Sequence, residues 1–240
     1  MNVNSIENMD YVKQVRDIYR TAIMDRRIDQ YRNDSDDNDS DDDIVEAIST
    51  KQNKTDRDEH KLVTRTNIMV IDVETAKTGE LIQIAYNIYD EEFNVIKQFD
   101  SLINEYNGKI DFYEKYSLDE IMCDGRDVYD VFYEIQDDME ICSHVVGHNI
   151  SFDMGKIHKY FTKLEISYIK PISICTMAKS KQTLNLKNKR GHIKPPKLSE
   201  LFVYCFGHEP DNSKTHTADY DIEITFMCFY KLYVDGIILL

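Results

Sequence analysis

No apolar run in the 240-residue chain approaches the ~20 residues of a bilayer span, and the opening stretch MNVNSIENMDYVKQVRDIYR alternates polar with apolar side chains and has no hydrophobic leader segment. Membrane spans and a secretory signal are therefore not expected. Cysteine is sparse: five residues, at 123, 142, 175, 205 and 228, form an odd count with no C-x-x-C pair. That excludes a disulfide framework and a zinc ribbon, and it points to a reducing, intracellular setting, cytoplasmic or nuclear. Positive charge is also short, since 29 Lys and Arg against 44 Asp and Glu leave a formal charge of −15. Such a field repels nucleic acid and anionic lipid at long range, so any polyanion has to be met locally, by metal ions or a basic patch. Alanine, with 6 residues against 28 Ile and 15 Asn, shows the bias of an A/T-rich coding sequence.

Against a prior of roughly 150 residues per domain, the length suits one globular domain with extra material at one end. Residues 1–32 contain Ile6, Met9, Val12, Val15, Ile18, Tyr19, Ala22 and Ile23 at three- and four-residue steps, the pattern of an amphipathic helix that docks on the body or binds a protein partner. Residues 33–65 form an acidic tract and linker. Asn33 to Asp43 holds seven aspartates in eleven residues and no apolar side chain, so burial cannot offset the entropy of ordering it, and disorder is expected. A calcium loop starting at Asp34 would need Gly sixth and Glu twelfth, where the chain has Asp39 and Val45.

Residues 66–240 read as one α/β domain. Asn67–Thr75, Leu81–Tyr89 and Val95–Ile103 are β-branched and aromatic runs between short polar turns, which predicts an antiparallel three-strand meander. Helical spacing then appears over Val128–Glu140, Phe152–Leu164, Lys197–Phe206 and Ala218–Val234, with short strands at His144–Gly147 and Ile166–Ile169. The alternation implies parallel strands joined to the meander in a mixed sheet, with helices packed on it.

Three places carry chemistry. Asp72 and Glu74 interrupt the apolar run Ile68 to Val73, and at a strand period of two they share a face, about 6.6 Å apart at a rise of roughly 3.3 Å per residue. Two buried like charges call for a hard divalent cation; for the pair alone, a strand ending there with both acids in water is the commoner case, since short acidic motifs are frequent. In VVGHNISFDMGK a strand ends at Gly147 and Asp153 follows at the start of a helix, where ligands of open α/β sheets bind and where the helix dipole also favours a carboxylate. His148 and Asn149 read as structural there, and Phe152 as core or as a stacking face. In His216-Thr217-Ala218-Asp219-Tyr220-Asp221, imidazole and carboxylate five residues apart can meet in one pocket, although a histidine before a helix also serves as a cap.

The three in order, Asp-x-Glu, Asn-x-x-Phe-Asp and His-x-x-x-x-Asp, resemble the DEDDh, or DnaQ-like, 3′–5′ exonucleases of the ribonuclease H-like superfamily, over about residues 66 to 234. LIQIAYNIYD and KLSELFVYCFGHEPDNSKTHTADYDIEITF are similar to that family as well. The sister class would carry Tyr where Thr217 stands, so the histidine class is the better match. The resemblance implies that Asp72, Glu74, Asp153 and Asp221 ligate metal and that His216 is the general base; Asp219 is two residues too near His216 for the last ligand. It implies hydrolysis of single-stranded DNA or RNA from the 3′ end to nucleoside 5′-monophosphates, with two Mg2+ per site, Mn2+ as substitute, and Asp72 bridging ions roughly 4 Å apart. Thr75 and Ala76 resemble the family's positions beside the terminal nucleotide.

Phosphate also needs a contact, and Lys170 to Lys197 holds eight basic residues and no acid. Lys187, Lys189, Arg190 and Lys194 are the expected backbone contacts, the other reading being a solvated loop. The competing functional reading is a slow or inactive scaffold on the same fold, acting through its N-terminal helix.

Overall fold

The computed structural model describes residues 65–105, 116–211 and 217–240. The segment expected to be an amphipathic helix (1–32), the acidic tract and linker up to residue 64, and His216 lie outside the described residues. All described residues fall in one compact unit, Arg65–Leu240.

Strands β1 (Asn67–Thr75), β2 (Leu81–Tyr89) and β3 (Val95–Asn104) pair antiparallel in chain order, which is the expected meander. A two-residue β4 (Arg126–Asp127) lies parallel on β3; β5 (Cys142–Gly147) pairs parallel with β1, and β6 (Ile172–Cys175) parallel with β5. The resulting order is β4-β3-β2-β1-β5-β6, with β1 central. Six helices occur among the described residues: α1 (Leu118–Asp124), α2 (Val128–Glu140), α3 (Ile150–Lys163), α4 (Thr176–Leu184), α5 (Leu198–Phe206) and α6 (Ala218–Val234).

The pleat of β1 decides how the layers form. Met69, Ile71 and Val73 point to one face and join Tyr86, Phe132 and Ile135 of α2, and Ile157 and Phe161 of α3, in the main core. The opposite face, with Val70 buried on it, is covered by α6, whose Phe226 stacks on Tyr89 of β2 at 3.9 Å between ring centroids. A strand buried on both faces reads as a near-continuous apolar run, which β1 does until Asp72.

Three local differences from the sequence reading have physical reasons. No strand forms over Ile166–Ile169: Ile166 is buried in the core and Tyr168 stacks on Phe161 of α3 at 4.1 Å, so the alternation serves packing on a helix, and the strand starts only past Pro171. Helix α1 opens with a capping box, Ser117 bonding the Glu120 N–H and Glu120 bonding back to Ser117, a signal present in the sequence as Ser-x-x-Glu. The basic stretch contains α4 and is not one continuous loop.

Candidate active site

Strand β1 carries Asp72 and Glu74 on one face of its carboxyl end, where burial gives way to partial exposure and a bulge falls between Glu74 and Thr75. Bulges of this kind re-aim side chains beside functional sites. Helix α6 crosses that face and brings Asp221 from its first turn, so that one carboxylate oxygen from each of Asp72, Glu74 and Asp221 lies within 4.8 Å of the others. Asp153 arrives by another route. A Cβ at Gly147 would stand 2.8 Å from Ile150 Cδ1 and 3.2 Å from the Ile71 carbonyl oxygen, so any larger residue there would press on Ile150 and on the backbone of β1 as α3 begins. Asn149, at φ 77°, makes the left-handed turn into α3 that its short polar side chain tolerates. Asp153 is then only 3% exposed, and its carboxylate accepts from the Val73 N–H, between the two acids of β1.

The field of these groups is one-sided. Burial holds the Asp72 carboxyl well above the usual range, and Asp153, Asp221 and Glu74 each add to it. Burial also pushes Asp153 up to about 7; the backbone N–H bonds it accepts oppose that shift and Glu74 adds to it. One oxygen of Asp153, Oδ2, is buried without a hydrogen-bond partner. The three converging carboxylates of Asp72, Glu74 and Asp221 fit a hard divalent cation, whose preferred donors are oxygens and whose charge would relieve the repulsion; Asp153, not one of that group of three, is near enough to act on Asp72 and has an oxygen without a partner.

Asp219 is exposed and contributes no oxygen to the group, which distinguishes it from Asp221. Thr75 is partly exposed beside the bulge; Ala76 is buried, its N–H donating to the Glu80 carbonyl at 2.9 Å within the β1–β2 turn. Phe152 is 44% exposed, so it is a surface face and not core, with Lys156 Nζ 5.3 Å from its ring centroid. His148 is structural: its ring nitrogens lie 3.0 Å from Thr176 Oγ1 and 3.1 Å from the Pro196 carbonyl, tying β5 to α4 and to the approach to α5. Lys187, Lys189 and Arg190 are exposed on a small hairpin closed by the Lys187–Ile193 bridge, whereas Lys194 Nζ bonds both Glu200 oxygens at 2.5 and 2.7 Å.

Gln83 and its partner Tyr116 escaped the sequence reading. Gln83, directly across from Glu74 on β2, is 2% exposed and receives a hydrogen bond from the Tyr116 hydroxyl at 3.0 Å. The available signal was one amide inside the otherwise apolar start of LIQIAYNIY.

A family model described as an exonuclease, RNase_T, matches residues 69–229. Among solved structures, E. coli Exonuclease I in complex with a dA16 oligonucleotide is similar at 16% identity and a TM-score of 0.53, over 70% of this chain and 40% of that one. A 3′-exonuclease whose structure concerns 3′-end recognition of the histone mRNA stem-loop is similar at 10% identity and a TM-score of 0.50, over 98% of this chain and 87% of that one. The Neurospora crassa Pan2 catalytic unit matches at 14% identity and a TM-score of 0.50, over 75% and 29% of the two chains. At these identities the likeness is one of fold, and the chain spans less than half the length of Exonuclease I. No curated protein sequence matches.

Proposed function

The chain belongs to the RNase_T exonuclease family, and from that premise we propose that it is a metal-dependent 3′–5′ exonuclease that hydrolyses single-stranded nucleic acid to nucleoside 5′-monophosphates. The observation that carries the reading is the meeting of Asp72, Glu74 and Asp221 oxygens within 4.8 Å, in company with the buried, unpartnered Oδ2 of Asp153. These four residues would hold the metal. Bound there, two Mg2+ ions, or Mn2+ in their place, supply positive charge for an already anionic phosphodiester and lower the pKa of a water.

The remaining work falls to side chains. His216, one residue before the α6 cap Thr217, takes the proton of the attacking water, a task suited to an imidazole near neutrality. Thr75 and Ala76 border the terminal nucleotide. Phe152 offers an exposed ring face to a base, since stacking tolerates any base. Lys187, Lys189 and Arg190 track the phosphates, while Lys194 steadies the hairpin through Glu200. The five free thiols support a reducing compartment, cytoplasmic or nuclear; among the described residues no helix is long and apolar enough to cross a membrane.

The test is degradation of 5′-labelled DNA and RNA strands of matched sequence, linear and circular, with Mg2+, Mn2+ or EDTA. A metal-dependent ladder that shortens from the 3′ end of linear strands only, and is lost in Asp72→Ala and His216→Ala, is the expected result. Cleavage of circles would make the protein an endonuclease, and no cleavage with any metal would leave it a scaffold on this fold.

A further inference from the structure

Gln83 is enclosed on a central strand, and both ends of its amide are engaged. Its Nε2 donates to Asp100 Oδ1 at 2.7 Å; its Oε1 accepts from the Tyr116 hydroxyl at 3.0 Å and from the Ala218 N–H at 3.2 Å. Chemistry fixes the orientation, because a backbone N–H only donates and a carboxylate accepts, so the oxygen faces α6 and the nitrogen faces β3. Ala218 is the first residue of α6, and the residue before it, Thr217, makes no side-chain cap bond. One of the orphan N–H groups at the start of α6 is thus satisfied by a strand side chain 135 residues earlier in the chain.

The placement matters because of what lies on either side. Glu74 is the cross-strand neighbour of Gln83, and Asp221 is three residues past Ala218, its own N–H bonded to the Thr217 carbonyl at 2.9 Å. A local Ser or Asp cap would satisfy an N–H of the next two residues and still let the helix slide along the sheet; a bond from the first N–H to a side chain rooted in β2 ties the helix start to the strand pair.

We propose that Gln83 is a positioning residue of the metal centre: by holding the Ala218 N–H and the Tyr116 hydroxyl, it locks the first turn of α6, and with it Asp221, to the strands that carry Asp72 and Glu74. The metal in this statement rests on the exonuclease reading; the lock does not. Partners behind a metal's ligands govern affinity because a ligand held loosely must be reordered on binding.

The full chain with Gln83→Met, of similar length but without donor or acceptor, is compared with Gln83→Glu combined with Asp100→Asn, which keeps an acceptor for Ala218 and Tyr116 and lets residue 100 donate where it accepted, so that two carboxylates do not meet there. Hydrogen exchange by mass spectrometry is followed over the first turn of α6 well below the unfolding temperature, and Mn2+ affinity is measured by calorimetry without substrate. In Gln83→Met, exchange in that turn should speed up by about tenfold while β1 and α2 are unchanged, and Mn2+ should bind about tenfold more weakly. Gln83→Glu with Asp100→Asn should keep the protection to within about threefold of the wild type, its carboxylate also suiting a helix N-terminus. Unchanged exchange and affinity in Gln83→Met would overturn the lock, as would equal loss in both variants, since the retained acceptor would then not be what holds the helix. Should Gln83→Met not fold, Gln83→Asn, one methylene shorter, draws the acceptor back from Ala218 and serves the same comparison. Failure of the wild type to bind Mn2+ would defeat the metal reading alone, with the exchange contrast still deciding the lock.

Discussion

Asp153 shows at the scale of one residue what the site costs without metal. Its carboxyl, buried and pushed up to about 7, holds a proton in the folded chain over a pH range where the unfolded chain has released it. This carboxyl therefore binds more proton in the folded than in the unfolded chain between about pH 4 and 7, and its contribution to the stability of the metal-free protein falls as pH rises through that window and levels off above it. Asp153→Asn keeps an oxygen to accept from the Val73 N–H and removes the charge. Its metal-free Tm at pH 8 should exceed that of the wild type by several degrees, at about 2–4 °C per kcal/mol for a domain of this size. The gain should vanish at pH 4 and its cost should be loss of metal binding; melting curves across pH read both, and a Tm at pH 8 equal to or below the wild type would contradict the account of the site. Asp72 and Glu74 stand out in the sequence because they interrupt an apolar strand, whereas Asp153 and Asp221 sit at helix starts, where a carboxylate is ordinary, and only the resemblance to the exonuclease family joined them to that pair. Gln83 was not legible, because its meaning lies in the Ala218 N–H far along the chain, and a single amide in a strand says nothing of its partner.

The basic hairpin belongs to the scale of an element. Asn188 Oδ1 accepts the N–H groups of Arg190 and His192 at 2.9 and 3.0 Å, which shapes a tight tip with Lys189 and Arg190 exposed on it. Fluorescence titrations with labelled single strands at several salt concentrations should show Lys189→Gln with Arg190→Gln binding more weakly and with a salt slope flatter by about 0.7 per lost phosphate contact. Lys194→Gln should leave the slope unchanged, since its ammonium is already committed to Glu200; unchanged slope in the double variant would return the hairpin to a solvated loop. Legibility at this scale depended on what a pattern packs against. The meander and α6 declared themselves by length and periodicity, whereas Ile166 and Tyr168 alternate like a strand yet face α3, a distinction that only the tertiary neighbour decides. Helix α4 hid inside a stretch singled out for its charge, and its low apolar content gave no amphipathic stripe.

At the scale of the whole molecule, the mixed sheet puts the carboxyl ends of β1 and β5 side by side, and helices entering from both faces complete an acidic centre in a chain already at −15. A divalent cation would reconcile that concentration of charge with the anionic substrate proposed for the site, and protons would compete with the cation for the same oxygens. The most direct measurement is calorimetric titration of the metal-free chain with Mn2+ at pH 6.5 in buffers of different ionisation heat, which counts the protons displaced. Because burial pushes the Asp153 carboxyl up to about 7 and holds that of Asp72 above the ordinary carboxylate range, binding at pH 6.5 should release protons, and the share from Asp153 should fall away as the pH rises past 7. Mn2+ binding without proton release, or no binding at all, would contradict a metal centre built from these four carboxylates.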